Sequence, residues 1–146
     1  MAGPTRRKLV VSGLALSAMS GAPARGLAAE PVKIRDLWGR GGEFSALAAS
    51  LAGRSVTMQG YMAPPLKPEI DFFVLTRIPM AVCPFCDTEA AWPNDLIVAY
   101  VAQGVAPVPF NDLIRVTGTL ELGTATDAKT GFVSRIRLAQ AEFALV

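Results

Sequence analysis

From residue 54 onward, apolar and polar residues alternate with the two-residue period of half-buried β-strands. This pattern predicts five strands, at residues 55–62, 71–77, 96–102, 112–122 and 133–146. The second is apolar almost throughout, so we expect it to be buried on both faces. A glycine inside a strand marks a sharp bend, and the first and fourth strands each contain one, Gly60 and Gly118. The chain is therefore predicted to be mainly β, with a sheet that curves and closes on itself.

Residues 30–53 precede the strands and are predicted to be a lead-in followed by a capping helix. Four apolar residues of 43–52 recur at the spacing i, i+3, i+4 and i+7 of one helix face. Glu43 suits the first turn through the helix dipole, and Gly53 suits the position after the last turn. The apolar face consists of Phe44, Leu47, Ala48 and Leu51.

Residues 1–29 have the composition of a secretory signal peptide, with a basic start, an apolar run at 9–19 and small residues after it. The pair Arg6 and Arg7 before the apolar run resembles the twin-arginine export signal, which implies export of a folded protein to the bacterial periplasm. The apolar run is too short to cross a bilayer of about 30 Å, which disfavours an uncleaved membrane anchor.

Cleavage of this signal is predicted after Ala24 or near Ala28 and Ala29. The whole chain has 14 basic and 12 acidic residues, for a net charge of +2. Four basic residues and no acidic ones precede residue 30, so 10 basic and 12 acidic residues remain, with a net charge near −2. The exported part therefore has no basic face for nucleic acid and no polybasic stripe for a membrane.

Both cysteines lie between the second and third predicted strands, in the sequence Cys83-Pro84-Phe85-Cys86 of a loop at 80–95. The chain contains no histidine, which excludes Ser–His and Cys–His catalytic pairs. It also excludes a c-type haem, which needs a histidine directly after the second cysteine. Three interpretations of the loop follow from the residues.

The first interpretation is a structural disulfide, since neighbouring cysteines oxidise in the periplasm. Such a short loop gains only about 1–3 kcal/mol from the bridge. The second is thiol–disulfide exchange, with Cys83 as the attacking thiol and Cys86 as its partner. Asp87 and Glu89 argue against exchange because nearby carboxylates raise a thiol pKa, and Pro93 ends any helix that could lower it.

The third interpretation is a metal site, in which the thiolates of Cys83 and Cys86 bind Zn(II) or Cu(I). Two thiolates make half of a tetrahedral shell, so other side chains must complete it. The candidates are the carboxylates of Asp87, Glu89 and Asp95 for zinc, and the thioethers of Met80, Met62 and Met58 for copper.

The strand patterns VTMQGYM, IRVTGTL and SRIRLA resemble the OB-fold, a five-stranded Greek-key barrel, over residues 54–146. The chain departs from that fold by placing its helix before the first strand. The order of helix, GYM, FFVL, cysteine loop and PND is similar to that of small exported bacterial proteins of unknown function, often found with ABC-type transport systems. The match is carried by Gly60, Tyr61, Met62, Val74, Leu75, Pro93 and Asn94.

That resemblance implies a periplasmic, single-domain OB-like protein. We expect a non-enzymatic accessory or binding protein of the cell envelope, serving a transporter or another periplasmic protein and handling a metal through Cys83 and Cys86. The alternatives are a periplasmic thiol–disulfide redox protein that uses the same two cysteines, and a protein-interaction module in which they form a structural disulfide.

Overall fold

The computed structural model describes residues 30–65, 69–82 and 96–146. These residues form a mainly β structure with little helix, as the alternation predicts. The elements are a 3-10 turn (Ile34–Leu37), one helix, α1 (Ala46–Leu51), and five strands: β1 (Ser55–Met62), β2 (Phe72–Thr76), β3 (Ile97–Tyr100), β4 (Leu113–Thr126) and β5 (Val133–Leu145). No helix among the described residues is long and apolar enough to cross a membrane.

The five strands form one mixed sheet that closes into a ring. The order around the ring is β1, β2, β3, β5 and β4, and β4 pairs with β1 again. All neighbouring strands are antiparallel except β3 and β5, which are parallel. The pairing of β4 with β5 is the longest, running from Ile114 opposite Leu145 to Thr126 opposite Val133.

The hydrophobic core lies inside the ring, with a smaller cluster on the outside of β2 and β3. Phe73 and Leu75 of β2 point into the core. Phe72 and Val74 belong to the outer cluster. All five residues of β2 are buried, which confirms that this strand has no solvent-facing side.

The glycines Gly60 and Gly118 lie at buried, inward-facing positions of β1 and β4, where a neighbouring strand comes very close. Beside Gly118 the pairing with β5 shifts its register, as expected at a β-bulge. Gln140 of β5 lies in this irregular part and has a φ of 50°. Both glycines therefore lie where the close approach of a neighbouring strand leaves no space for a side chain.

Residues before β1 complete the core rather than extend from it. The Val32 N–H donates to the Thr57 carbonyl at 2.7 Å, so the chain pairs with β1 at once. Ile34 and Leu37 of the 3-10 turn are buried in the core, as is Ala48 of α1. This segment closes the ring from the side on which β1 and β2 pair only at residues 61–62 and 75–76.

The helix is shorter than the predicted range 43–52. Phe44 instead forms an antiparallel bridge with Trp38. Ser45 is the N-cap, and its hydroxyl accepts from the Ala48 N–H at 3.1 Å. Leu47, predicted to lie on the buried face, is 43% exposed. The hairpin at 38–44 uses residues that the apolar spacing assigned to the first helical turn.

Candidate functional site

Most residues of the predicted site lie outside the described part of the chain. This holds for Cys83, Cys86, Asp87, Glu89 and Asp95, and for the export-signal residues Arg6 and Arg7.

The methionines proposed as copper ligands differ in position. Met80 is described and half-buried, on the chain that leads to the cysteines. Met58 and Met62 are fully buried in the core inside the ring. Burial among other core side chains disfavours both of them as copper ligands. Met80 is the best-placed candidate of the three.

The cysteine loop connects two strands, β2 and β3, that are adjacent in the sheet. β2 ends at Thr76 and β3 begins at Ile97, and these strands are hydrogen-bonded neighbours with Leu75 opposite Ile97. The connection between them spans the twenty residues 77–96. Antiparallel neighbours need a turn of only about 2–5 residues. The connection is therefore far longer than the fold requires, which is typical of loops that carry a function.

Thr76 fixes the start of this connection. Its side chain is buried, and its hydroxyl lies 2.7 Å from the Ile78 carbonyl and 3.2 Å from the Tyr61 carbonyl. Beyond this anchor the chain turns outward, and Ile78 and Val82 are 55% and 71% exposed. The loop thus leaves a rigid strand and brings apolar side chains to the surface just before Cys83.

A second polar cluster lies at the opposite ends of β2 and β3, around the turn between β4 and β5. The Tyr100 hydroxyl donates to Asp127 Oδ2 at 3.2 Å. Asp127 Oδ1 accepts from the N–H groups of Lys129 and Thr130 and from the Thr130 hydroxyl, at 2.8–3.1 Å. The Lys129 ammonium pairs with Asp71. A cavity of about 100 Å³ is lined in part by Asp71, Asp127, Lys129 and Thr130.

The electrostatics of this cluster favour a fixed turn over proton transfer near neutral pH. Burial opposes ionisation of Asp127, but its hydrogen bonds outweigh burial and hold the pKa of the carboxyl below its usual value. Burial, followed by the charge of Asp127, raises the pKa of Tyr100 to about 12. The hydrogen bond to Asp71 raises the pKa of Lys129. Each group therefore keeps its ordinary charge at neutral pH, and Asp127 binds its own turn through Oδ1 and Tyr100 of β3 through Oδ2.

Sequence reasoning assigned no role to the segment between the fourth and fifth predicted strands and missed this cluster. The segment Asp127-Ala-Lys-Thr-Gly131 does contain a signal, since an aspartate often accepts from N–H groups two and three residues later. Its partner Tyr100 lies 27 residues away and could be found only from the fold. Within 30–65, 69–82 and 96–146, no group of three or more Cys, Asp or Glu side chains could hold a metal ion.

Titration of Tyr100 predicts a loss of stability at alkaline pH. The folded protein keeps the phenol proton up to a pKa of about 12, whereas the unfolded chain releases it near 10.0. Between pH 10 and pH 12 the unfolded state binds fewer protons than the folded state, so the free energy of unfolding falls as the pH rises. Below pH 10 this contribution to stability is present in full. The loss is at most about 2.7 kcal/mol, which solvent screening reduces to about 1 kcal/mol.

Urea unfolding of the wild type and of Tyr100→Phe, at pH 8 and pH 11.5, measures this loss. The wild type should lose about 1 kcal/mol more than the variant, because phenylalanine does not titrate. Equal losses in the two proteins would show that Tyr100 has no raised pKa.

Comparisons with known proteins give one informative similarity. No protein-family model matches the chain, and no curated protein matches it. Among solved structures, it is similar to the crystal structure of a DUF3299 family protein from Pseudomonas aeruginosa PAO1. The two are 16% identical with a TM-score of 0.51, and the match covers 80% of this chain and 95% of that chain. At this identity the similarity shows the fold alone.

Proposed function

We propose that this protein is a non-enzymatic accessory protein of the bacterial cell envelope, exported to the periplasm by the twin-arginine route. Its 77–96 connection displays Cys83 and Cys86, which together bind a soft metal ion for an envelope transporter or another periplasmic protein. The proposal extends to the fold, which we assign to the OB type.

The observation that carries the functional proposal is the excess length of the connection between Thr76 and Ile97. Twenty residues join two strands that lie side by side. Both strands are buried, and the Thr76 hydroxyl holds the chain where it leaves β2. The connection therefore starts and ends on buried, adjacent strands, and it contains both cysteines of the chain. Sites held on rigid elements position their ligands better than sites on freely moving chain.

The strand order supports the OB assignment. The ring order β1, β2, β3, β5, β4 with a parallel β3–β5 pair is the arrangement expected of a five-stranded Greek-key barrel. The element that usually follows β3 in that fold is a helix. Here the 3-10 turn and α1, which precede β1 in the sequence, contribute side chains to the core. After β3, Val105 and Val108 pack against the same core.

The ligands point to a soft ion. Two thiolates bind Zn(II) or Cu(I) better than they bind hard cations. Met80 lies three residues before Cys83, is half-buried and is not part of the core clusters, so we assign it as the third sulfur ligand of Cu(I). For zinc, the carboxylates of Asp87, Glu89 and Asp95 are the available oxygen donors in the sequence.

A metal titration of the reduced protein tests the proposal. Protein lacking residues 1–24 is purified under reducing conditions and titrated with Zn(II) and with Cu(I) against a chromogenic chelator. We expect one ion per chain and at least a 100-fold weaker affinity in Cys83→Ser. Met80→Leu should weaken Cu(I) binding about tenfold and leave Zn(II) binding unchanged, because only copper uses the thioether.

The reduction potential of the Cys83–Cys86 pair, measured on the same sample, separates the other two interpretations. A potential above about −200 mV with fast glutathione exchange and no bound metal would favour thiol–disulfide exchange. A potential below about −300 mV without metal would favour a structural disulfide. Either result without metal uptake would overturn the metal-binding proposal.

A further inference from the structure

The outer face of β1 and β4 carries polar side chains that lie side by side on the two strands. Thr57, Gln59 and Tyr61 alternate along β1 with the buried residues that line the core. On β4, Arg115 lies opposite Gln59. Thr117 lies opposite Thr57, with the two hydroxyl oxygens 2.9 Å apart. These residues therefore form one continuous polar surface outside the ring.

The strand β5 extends this surface, because Glu142 lies opposite Thr117 and Ala144 lies opposite Arg115. Neighbouring strands are about 4.8 Å apart, and alternate residues of one strand are about 7 Å apart. The surface from Glu142 to Tyr61 therefore measures about 10 Å across the strands and about 14 Å along them. This area suits a short segment of a chain molecule better than a single ion.

The fold does not use the charged and amide groups of this surface. Arg115 and Glu142 are diagonal neighbours on adjacent strands, a position from which long side chains can reach each other. They nevertheless form no ion pair with each other. Among the described residues, neither of these side chains has a hydrogen-bond partner, and the same holds for the Gln59 amide and the Tyr61 hydroxyl. Four hydrogen-bonding side chains are thus available to a ligand.

We propose that this surface of β1, β4 and β5 binds a neutral polysaccharide chain. An anionic ligand would need several cations and a cationic ligand several carboxylates, but the surface has one guanidinium and one carboxylate, so its charge is balanced. A sugar hydroxyl is both a donor and an acceptor. It can donate to the Glu142 carboxylate, or accept from the Arg115 guanidinium or the Gln59 amide, and bonds to the charged groups are the stronger ones.

Tyr61 gives one end of the surface an aromatic side chain. It is half-buried and lies opposite Leu113 of β4. A tyrosine combines an apolar ring with a polar hydroxyl, so it can contact the C–H groups of a sugar ring and also hydrogen-bond to it. A protein partner would instead need an apolar centre, whereas the centre of this surface is polar. The pairing of β1 with β4 runs without interruption from Ser55 to Tyr61, which holds these side chains in fixed positions.

Isothermal titration calorimetry with three neutral hexasaccharides (cellohexaose, maltohexaose and chitohexaose) tests the inference. We expect at least one of them to bind with a Kd below about 1 mM. Arg115→Ala and Glu142→Ala should each weaken that binding about tenfold, because each removes a charge-assisted hydrogen bond. Arg40→Ala is the matched control, since this exposed arginine belongs to the hairpin at 38–44, and it should leave binding unchanged.

Amide chemical-shift changes in the NMR spectrum of the wild type locate the bound sugar. The largest changes are expected within β1, β4 and β5, at residues 57–61, 113–117 and 142–146. The inference is wrong if none of the three sugars binds, or if the shift changes lie elsewhere in the chain. Tighter binding of a sulfated heparin hexasaccharide than of every neutral sugar would also overturn it, because charge would then dominate recognition. None of these outcomes depends on metal binding by the cysteines.

Discussion

Replacing Gly60 with alanine is expected to lower the free energy of unfolding by about 3 kcal/mol. A Cβ atom at this position would lie 2.5 Å from the Thr76 carbonyl oxygen and 3.0 Å from Leu75 Cδ1. The oxygen belongs to the backbone of β2, so a rotamer change cannot relieve the contact. The added methyl group must separate β1 from β2, which are paired at only two registered positions.

Gly39→Ala is the matched control for this substitution. The Cβ at Gly39 would lie 3.5 Å from the Glu43 carbonyl oxygen, which is an ordinary van der Waals distance. Its stability should stay within about 0.5 kcal/mol of the wild type. Urea unfolding followed by circular dichroism measures both variants. Equal stabilities would show that β1 and β2 can separate at Gly60 without cost.

The second large effect is expected for Phe72→Ala, at about 4 kcal/mol of lost stability. Phe72 is fully buried on the outside of β2. Its ring centroid lies 5.2 Å from that of Tyr100 and 5.4 Å from that of Phe132, so it joins β2, β3 and the start of β5. Its removal leaves a cavity and ends two aromatic contacts.

Phe110→Ala provides the comparison, since this ring is 39% exposed and its loss should cost less than about 1 kcal/mol. Chemical denaturation gives both free energies. In Phe72→Ala the alkaline loss of stability that depends on Tyr100 should also become smaller, because the hydroxyl is then less well held against Asp127. A Phe72→Ala protein as stable as Phe110→Ala would mean that the outer cluster contributes nothing to the fold.

The strands were predictable because burial repeats every two residues, and this period does not depend on distant contacts. The start of α1 was not, because Phe44 contributes equally to a helix face and to a bridge with Trp38. The guanidinium of Arg135 lies 5.1 Å from the Trp38 ring and 5.2 Å from the Phe44 ring. This contact with a residue of β5 favours the bridge between Trp38 and Phe44. It could not be predicted from the sequence around residue 44.

The candidate site was likewise predictable only in part. The two cysteines are evident from their spacing, and the pattern of β1 could have excluded Met58 and Met62. Both share their parity with Val56 and so face the inside of the ring. The anchoring role of Thr76 depends on Tyr61, 15 residues earlier, and could not be read from the sequence. The residues of the candidate site could therefore be selected from the sequence, but the contacts that hold the start of its loop could not.

The way the ring closes has a consequence for the order of folding. The β4–β5 hairpin joins neighbouring parts of the chain across the short turn at 127–132, so its loop-closure entropy is small. The β1–β4 pairing is different, because Thr57 meets Thr117 across 60 residues. We expect the hairpin to form early and the β1–β4 seam to form in the slow step. If the proposed export of the folded protein is correct, the β1–β4 seam must close before transport, so a variant that closes it slowly should be exported slowly.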